Sequence, residues 1–323
     1  MSTNTTDFLN EAERDAKSLL GAASKVGIAN TLYVPNVEDT GFTLGTGEIL
    51  KAKTINTCVL FIDIRKSTQL NFAHPEETLA KLYATFIRSM LKAAEFFGGK
   101  VRNINGDRVM VVFDTADCFL TAMSTATLMN SVASEIIDKY FTQDSFECGI
   151  GIDYGKMLVV KTGTVKQGDE NQFYKSFVWL GKPANLASKL TDLANKENVL
   201  MKVKYWSYNV LGSLLPRGNV LGAFSTSNKP VISEASIDSS EFTEKVTKSS
   251  EQAKTKFGFF DVISWEKIPT KSQAILITEE VYKGLKKAHP NSEYFGNSLL
   301  SLSNVKVKGY TGKVYGANTI FSR

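Results

Sequence analysis

Asp63 closes the apolar run VLFIDI and is followed at once by Arg65, Lys66, Ser67 and Thr68. An unpaired carboxylate within a buried strand costs several kcal/mol, so Asp63 needs a partner. A second aspartate, Asp107, stands in NINGDRVMVVF, which reads as two short strands joined by a tight Asn-Gly-Asp turn. If those strands neighbour the first, both carboxylates reach the same edge of one sheet. A pair of that kind suits a divalent cation, because magnesium takes few protein carboxylates and completes its shell with water and substrate phosphates. The backbone amides after Asp63, the Ser67 and Thr68 hydroxyls and the nearby cations suit phosphate oxygens. The alternative for these aspartates is ordinary turn chemistry, Asp63 capping a turn and Asp107 shaping one.

Elements that would position them follow from periodicity. Residues 57–64 read as a strand, and Pro75-Glu76-Glu77 is helix-start chemistry, with proline in the first turn and carboxylates at the positive end of the dipole. Leu79, Leu82, Phe86, Met90, Ala93 and Phe97 continue that helix at spacings of three and four until Gly98-Gly99. A second helix is expected from about residue 116 to 140. CGIGIDYGKMLVVKTG reads as a hairpin turning near Tyr154-Gly155, and GKPANLASKLTDLANK as a helix with Leu186, Leu190 and Leu193 on one face. The order β-α-β-β-α-β-β-α predicts an α/β (α+β) fold, a ferredoxin-like βαββαβ core with additions. Residues 1–53, with a helix expected over 7–25, form an N-terminal extension to a domain spanning 54–323. The Ser/Thr/Lys-rich stretch 225–256 predicts an exposed insertion at about 204–273. AILITEEVYKGLKKAHP predicts a strand and a short helix, and VKVKGYTGKVYGANTIF a final hairpin.

Composition narrows the function classes. The 323 residues are 43% hydrophobic, and the formal charge of +5 fits small anionic ligands without any basic block to suggest nucleic acid. Only His74 and His289 occur, which argues against a histidine zinc site or a Ser-His-Asp triad. Cys58, Cys118 and Cys148 lack metal-ligand spacing and read as buried free thiols of a reducing compartment. No apolar run is long enough for a membrane span, and the polar, acidic start is unlike a secretory signal, so the expected location is cytoplasmic.

In order, FIDIRKST, NINGDRVMVVF, CGIGIDYGKMLV and WLGKPANLASKL resemble the class III nucleotidyl cyclases, the adenylate/guanylate cyclase family. ILITEEVY and NVKVKGYTGKVY resemble that family's last strands. The resemblance implies two metal ions, Mg²⁺ or Mn²⁺, bridging Asp63 and Asp107 with the Ile64 carbonyl as a further ligand, and phosphates held by the turn from Arg65 to Thr68. It implies a nucleoside triphosphate substrate whose ribose 3′-OH attacks the α-phosphorus while pyrophosphate leaves. Asn185 and Lys189 are four apart and share a helix face. The resemblance gives Asn185 the ribose and Lys189 the α-phosphate, acting from the partner chain of a homodimer whose sites lie at the interface. Lysine replaces the family's usual arginine there and loses the planar fork. Lys308 matches a lysine that binds the β- and γ-phosphates.

The base-reading positions depart from the family. Asn103, four before Asp107, stands where adenylate cyclases carry lysine and guanylate cyclases glutamate. Val178, seven before Asn185, stands where aspartate or cysteine is usual. Losing both readers should change or relax base choice. The chain most resembles the stand-alone bacterial pyrimidine cyclases of the Pycsar anti-phage system, which implies cyclic UMP or cyclic CMP, a second messenger for a separate effector protein. UTP is favoured over CTP, and Asn103 can donate to or accept from either pyrimidine edge. A purine cyclase with atypical base contacts and a non-catalytic nucleotide sensor are the alternatives.

Overall fold

The computed structural model describes residues 4–45, 49–163, 165–166, 169–170, 175–207, 231–238, 262–295, 299–302 and 305–322. In chain order its elements begin with α1 (Thr5–Leu20), β1 (Val26–Asn30), β2 (Leu50–Ile64), α2 (Ser67–Ala73) and α3 (Glu76–Phe96). The hairpin β3 (Lys100–Asn105) and β4 (Arg108–Val112) comes next. Then α4 (Cys118–Ser131) runs through a π-helical turn, Val132–Ile137, into a last turn, α5 (Asp138–Tyr140). β5 (Cys148–Thr162), the short β6 (Val165–Lys166) and β7 (Asp169–Glu170), β8 (Ser176–Leu180) and α6 (Lys182–Leu193) follow. The remaining elements are β9 (Glu197–Ser207), β10 (Val231–Asp238), β11 (Val262–Lys271), β12 (Ile275–Thr278), α7 (Glu279–Ala288), β13 (Leu300–Leu302) and β14 (Val314–Ala317).

Two compact units result, Met1–Lys196 with Gln273–Arg323, and Glu197–Ser272. In the first, the main sheet has the order β13-β14-β12-β5-β2-β4-β3, with β1 beside β2 and β8 beside β5. The run β5-β2-β4-β3 is the ferredoxin-like arrangement: β2 and β3 flank β4, and each neighbouring pair is antiparallel. The second unit is a three-stranded antiparallel sheet, β10-β9-β11, in which Lys202 and Lys204 bracket Glu234 at 3.3 and 3.2 Å. Within the first unit the Asn195 amide donates to the Gln273 carbonyl at 2.8 Å, so the ends of the inserted segment meet.

Alternation along β2 separates two cores. Cys58, Leu60, Ile62 and Ile64 point toward α3 and α4, packing with Leu82, Phe86, Met90, Ala122, Met123 and Ala126. Ile55 and Val59 point the other way, into a cluster with Met110, Val112, Met157 and Val159 that Val34 and Phe42 of the N-terminal segment help to close. Asp63 has the odd-numbered register of Val59 and Phe61, so it shares their face. That face is also the one α6 covers.

The reason α6 can lie so near is read from β5. A Cβ at Gly151 would collide with the Ala187 carbonyl and the Thr191 amide of α6, and one at Gly149 would stand 2.6 Å from the Ala194 carbonyl. Thr191 then donates its hydroxyl to the Phe61 carbonyl of β2 at 3.1 Å, which fixes the helix on the sheet.

Two expectations need correction. CGIGIDYGKMLVVKT is one continuous strand, paired with β2 from Cys148 opposite Ile64 to Val160 opposite Ala52, and makes no hairpin. Gly155 admits Pro183, whose Cγ would stand 2.9 Å from an added Cβ, and does not turn the chain. The final hairpin is formed by β13 and β14, with VKVKGYTGK in the connection outside both strands. The Ser/Thr/Lys-rich stretch contains a strand, β10; the rest of residues 225–256 lies outside the described residues. All three cysteines are free and buried, and no helix among the described residues is long and apolar enough to cross a membrane.

Replacing Gly151 with alanine should force α6 off the sheet. The expected loss is about 2–3 kcal/mol, measured by urea unfolding, the cost of overpacking against backbone that cannot yield.

Candidate active site

Asp63 and Asp107 come together, and each is placed by its element. Asp63 is the next-to-last residue of β2, while Asp107 follows Gly106, whose φ of 62° turns the chain between β3 and β4. Glycine adopts that left-handed angle without strain. Burial raises the Asp107 carboxyl above its ordinary value of 3.8, and the neighbouring Asp63 charge adds to the rise; a hydrogen bond with Ser67 opposes it. Asp107 Oδ2 is buried with no hydrogen-bond partner. Ser67 starts α2, and the backbone reaches it through Lys66 in a left-handed conformation, φ 56°. Thr68 is exposed one residue further on, and the Arg65 amide is tied to the Glu147 carbonyl at 2.8 Å. Ile64 is buried in the core facing α3 and α4, leaving its backbone as the part that faces this chemistry.

Two arginines neutralise the pair. The Arg108 Nη2 donates to Asp63 Oδ2 at 2.5 Å and its Nε at 3.2 Å. Arg65 Nη2 stands 3.7 Å from the same oxygen, and its Nη1 donates to the Asp192 carbonyl at 3.2 Å. Arg108 also reaches Ser188 Oγ at 2.8 Å and Asp192 Oδ1 at 2.5 Å, both on α6. Arg108, Ser188 and Asp192 were not foreseen. The available signal was Arg108 directly after a metal-type aspartate, and Ser188 and Asp192 four apart on a predicted helix.

The other expected residues fall elsewhere. Asn185 is exposed on α6, and Lys189 donates to the Lys308 carbonyl at 2.8 Å, joining the two lysines through the main chain. On α6 the pair Asn185/Lys189 is centred about 60° around the helix from the pair Ser188/Asp192, so the two pairs lie on adjoining parts of one face. Ser188 and Asp192 reach Asp63 through Arg108, whereas among the described residues no hydrogen bond or ion pair joins Asn185 or Lys189 to Asp63 or Asp107. Asn103 is exposed on β3 opposite Met110; Val178 is 40% exposed on β8 opposite Val160. Three strands separate β3 from β8, and the two side chains share no contact among the described residues.

The donor set fits a hard divalent cation. Two carboxylates meet at the strand end, one with a buried oxygen lacking any partner, beside the turn that leads from Arg65 into α2. No group of three or more His, Cys, Asp or Glu side chains suited to a metal occurs among the described residues, as expected if water and substrate supply the remaining ligands.

The fold agrees with comparison. Residues 50–212 match the adenylate and guanylate cyclase catalytic domain, and the chain belongs to that family. It is 30% identical over 212 residues to a uridylate cyclase of Burkholderia cepacia, a match covering 64% of this chain and 86% of the relative. It is 30% identical over 176 residues to a uridylate cyclase of Gulbenkiania mobilis, covering 51% and 64%. A cytidylate cyclase of Staphylococcus aureus is 29% identical over 147 residues, covering 38% of this chain and 35% of the relative. The crystal structure of the adenylyl cyclase CyaB from P. aeruginosa shares the fold, with a TM-score of 0.50 at 17% identity over 85% of this chain and 98% of that one.

The raised carboxyl of Asp107 has a consequence for stability. A folded value above the unfolded one contributes stability that is fully present below the unfolded value and lost as pH rises through the folded value. Metal-free Asp107→Asn should therefore melt above the wild type near about pH 7, with the gap closing toward about pH 4. Thermal melts in EDTA across that range check it.

Proposed function

We propose that this protein is a metal-dependent nucleotidyl cyclase that converts a pyrimidine nucleoside triphosphate, UTP before CTP, into its 3′,5′-cyclic monophosphate and pyrophosphate. The observation that carries it is the convergence of Asp63 and Asp107, with the buried, unpartnered Asp107 Oδ2. Pyrimidine choice is supported by Asn103 and Val178 at the two positions where purine cyclases carry their readers, and by the named activities of the relatives.

Asp63, Asp107 and the Ile64 carbonyl would hold two ions, Mg²⁺ or Mn²⁺, which supply charge neutralisation of the triphosphate and acidify the 3′-hydroxyl. The 3′-oxygen forms a bond to the α-phosphorus and gives up its proton; the bond from that phosphorus to the bridging oxygen breaks, and pyrophosphate leaves. What the chain contributes is position and charge. Arg65, Ser67 and Thr68 face the phosphates, and Lys308 the β- and γ-phosphates. Asn185 holds the ribose, and Lys189 sets its ammonium against the α-phosphate as charge builds there.

Asn185 is exposed and Lys189 bonds the Lys308 carbonyl, neither touching its own chain's carboxylates among the described residues, and the site is completed by a second copy. The working form is a homodimer in which each chain lends α6 to the other's metal end. The product serves as a second messenger in anti-phage defence, read by a separate effector protein.

Purified protein incubated with Mn²⁺ and each of UTP, CTP, ATP and GTP should yield cyclic UMP as the main product. Predominant cyclic AMP or cyclic GMP refutes the pyrimidine reading, and tight binding without turnover of any triphosphate makes the protein a sensor. Asp63→Ala or Asp107→Ala should lower turnover at least about a hundredfold while leaving the dimer folded. Mixing Asp63→Ala with Asn185→Ala chains tests the shared site. Half of a random mixture is heterodimer with one intact site of two, so about a quarter of wild-type activity should return. No recovery in proven heterodimers excludes sites that span chains.

A further inference from the structure

Arg108 has no part in the chemistry above, yet its guanidinium ties three elements together. It leaves the start of β4, holds Asp63 Oδ2 of β2 through Nε and Nη2, and holds Ser188 Oγ and Asp192 Oδ1 of α6 through Nη1 and Nη2. The planar fork suits such a bridge, and arginine keeps its charge at any working pH. Asp63 is 15% exposed and Arg108 27%, so the ion pair is only partly screened by water.

We propose that Arg108 is the internal counter-cation of the carboxylate site, the group that a divalent ion must displace from Asp63. The inference rests on the metal reading of Asp63 and Asp107. Without a cation, two carboxylates would face each other at the end of one sheet, and Arg108 answers that repulsion. The oxygen it holds, Asp63 Oδ2, is also approached by Arg65 at 3.7 Å, so this carboxylate meets an arriving ion with positive charge already beside it. Once released from Asp63, the guanidinium retains Asp192 and Ser188 and stays fastened to α6. Arg108 is thus a positioning residue with two tasks: it pins α6 to the sheet, and it sets how tightly the site takes its ion.

Calorimetric titration of the full-length protein with Mn²⁺, without nucleotide, tests this. Arg108→Gln should bind Mn²⁺ about five- to tenfold more tightly than the wild type, the scale of one partly exposed ion pair. Its thermal midpoint in EDTA should fall, and its rise on adding Mn²⁺ should exceed that of the wild type. Arg108→Lys keeps the charge without the fork and should fall between the two; if Arg108→Gln does not fold, the lysine variant must still bind Mn²⁺ more tightly than the wild type. Unchanged or weakened Mn²⁺ affinity in the folded variants overturns the proposal. Asp63→Asn separates the two levels of the argument. If it loses Mn²⁺ while the Arg108 variants match the wild type, only the role of Arg108 fails. If it binds Mn²⁺ as the wild type does, the metal reading fails as well.

Discussion

Two like charges at one end of one sheet are the constraint around which the first unit is arranged. Asp63 and Asp107 come from elements whose own hydrogen bonding fixes them, one from a strand paired along its length and the other from a two-residue turn. Neither can retreat, and burial has already raised the Asp107 carboxyl. The surroundings answer in two ways: Ser67 bonds Asp107, and Arg65 and Arg108 flank Asp63. Both arginines also reach Asp192 on α6, one at its carbonyl and the other at its carboxylate. Neutralising the strand end and docking the helix are therefore one event. It depends on Gly149 and Gly151, because a side chain at either would hold α6 too far away for those bonds.

Much of this was legible where the signal is local. The α3 stripe from Leu82 to Ala93 buries as its spacing predicts, and the Asn-Gly-Asp turn lies between β3 and β4. The carboxylate pair followed from reading residues 57–64 as a strand beside the hairpin that carries this turn. Errors arose where one residue type serves two physical ends. Gly155 looked like a turn, but the strand continues because β2 supplies a partner at every position. VKVK alternates as a strand does, yet Val307 goes to a cluster with Leu186, Leu190 and Leu276 and leaves no strand of its own. Arg108 was beyond reach for a different reason. Its partners lie 45, 80 and 84 residues away, and its place directly after Asp107 does not by itself say which residues it meets.

The two stripes of α6 divide the labour of the helix. Ser188 and Asp192 reach the chain's own strand end through Arg108, while Asn185 is exposed and Lys189 is held by the Lys308 carbonyl. In the proposed homodimer each helix would anchor itself through Ser188 and Asp192 and offer Asn185 and Lys189 to the neighbouring chain.

Lysine at position 189 fits this division. An arginine there would offer a planar fork with donors to spare, whereas an ammonium has three donors and a single point of charge. One of those donors is committed to the Lys308 carbonyl, so the loop carrying the second lysine is held by the first. The two cations are thereby positioned together, and charge placed by one is reinforced by the other. A fork would add direction to the contact with a developing α-phosphate. On the proposed reading the lysine pair instead spreads positive charge over the triphosphate, and aiming the attack falls to Asn185 and the two carboxylates.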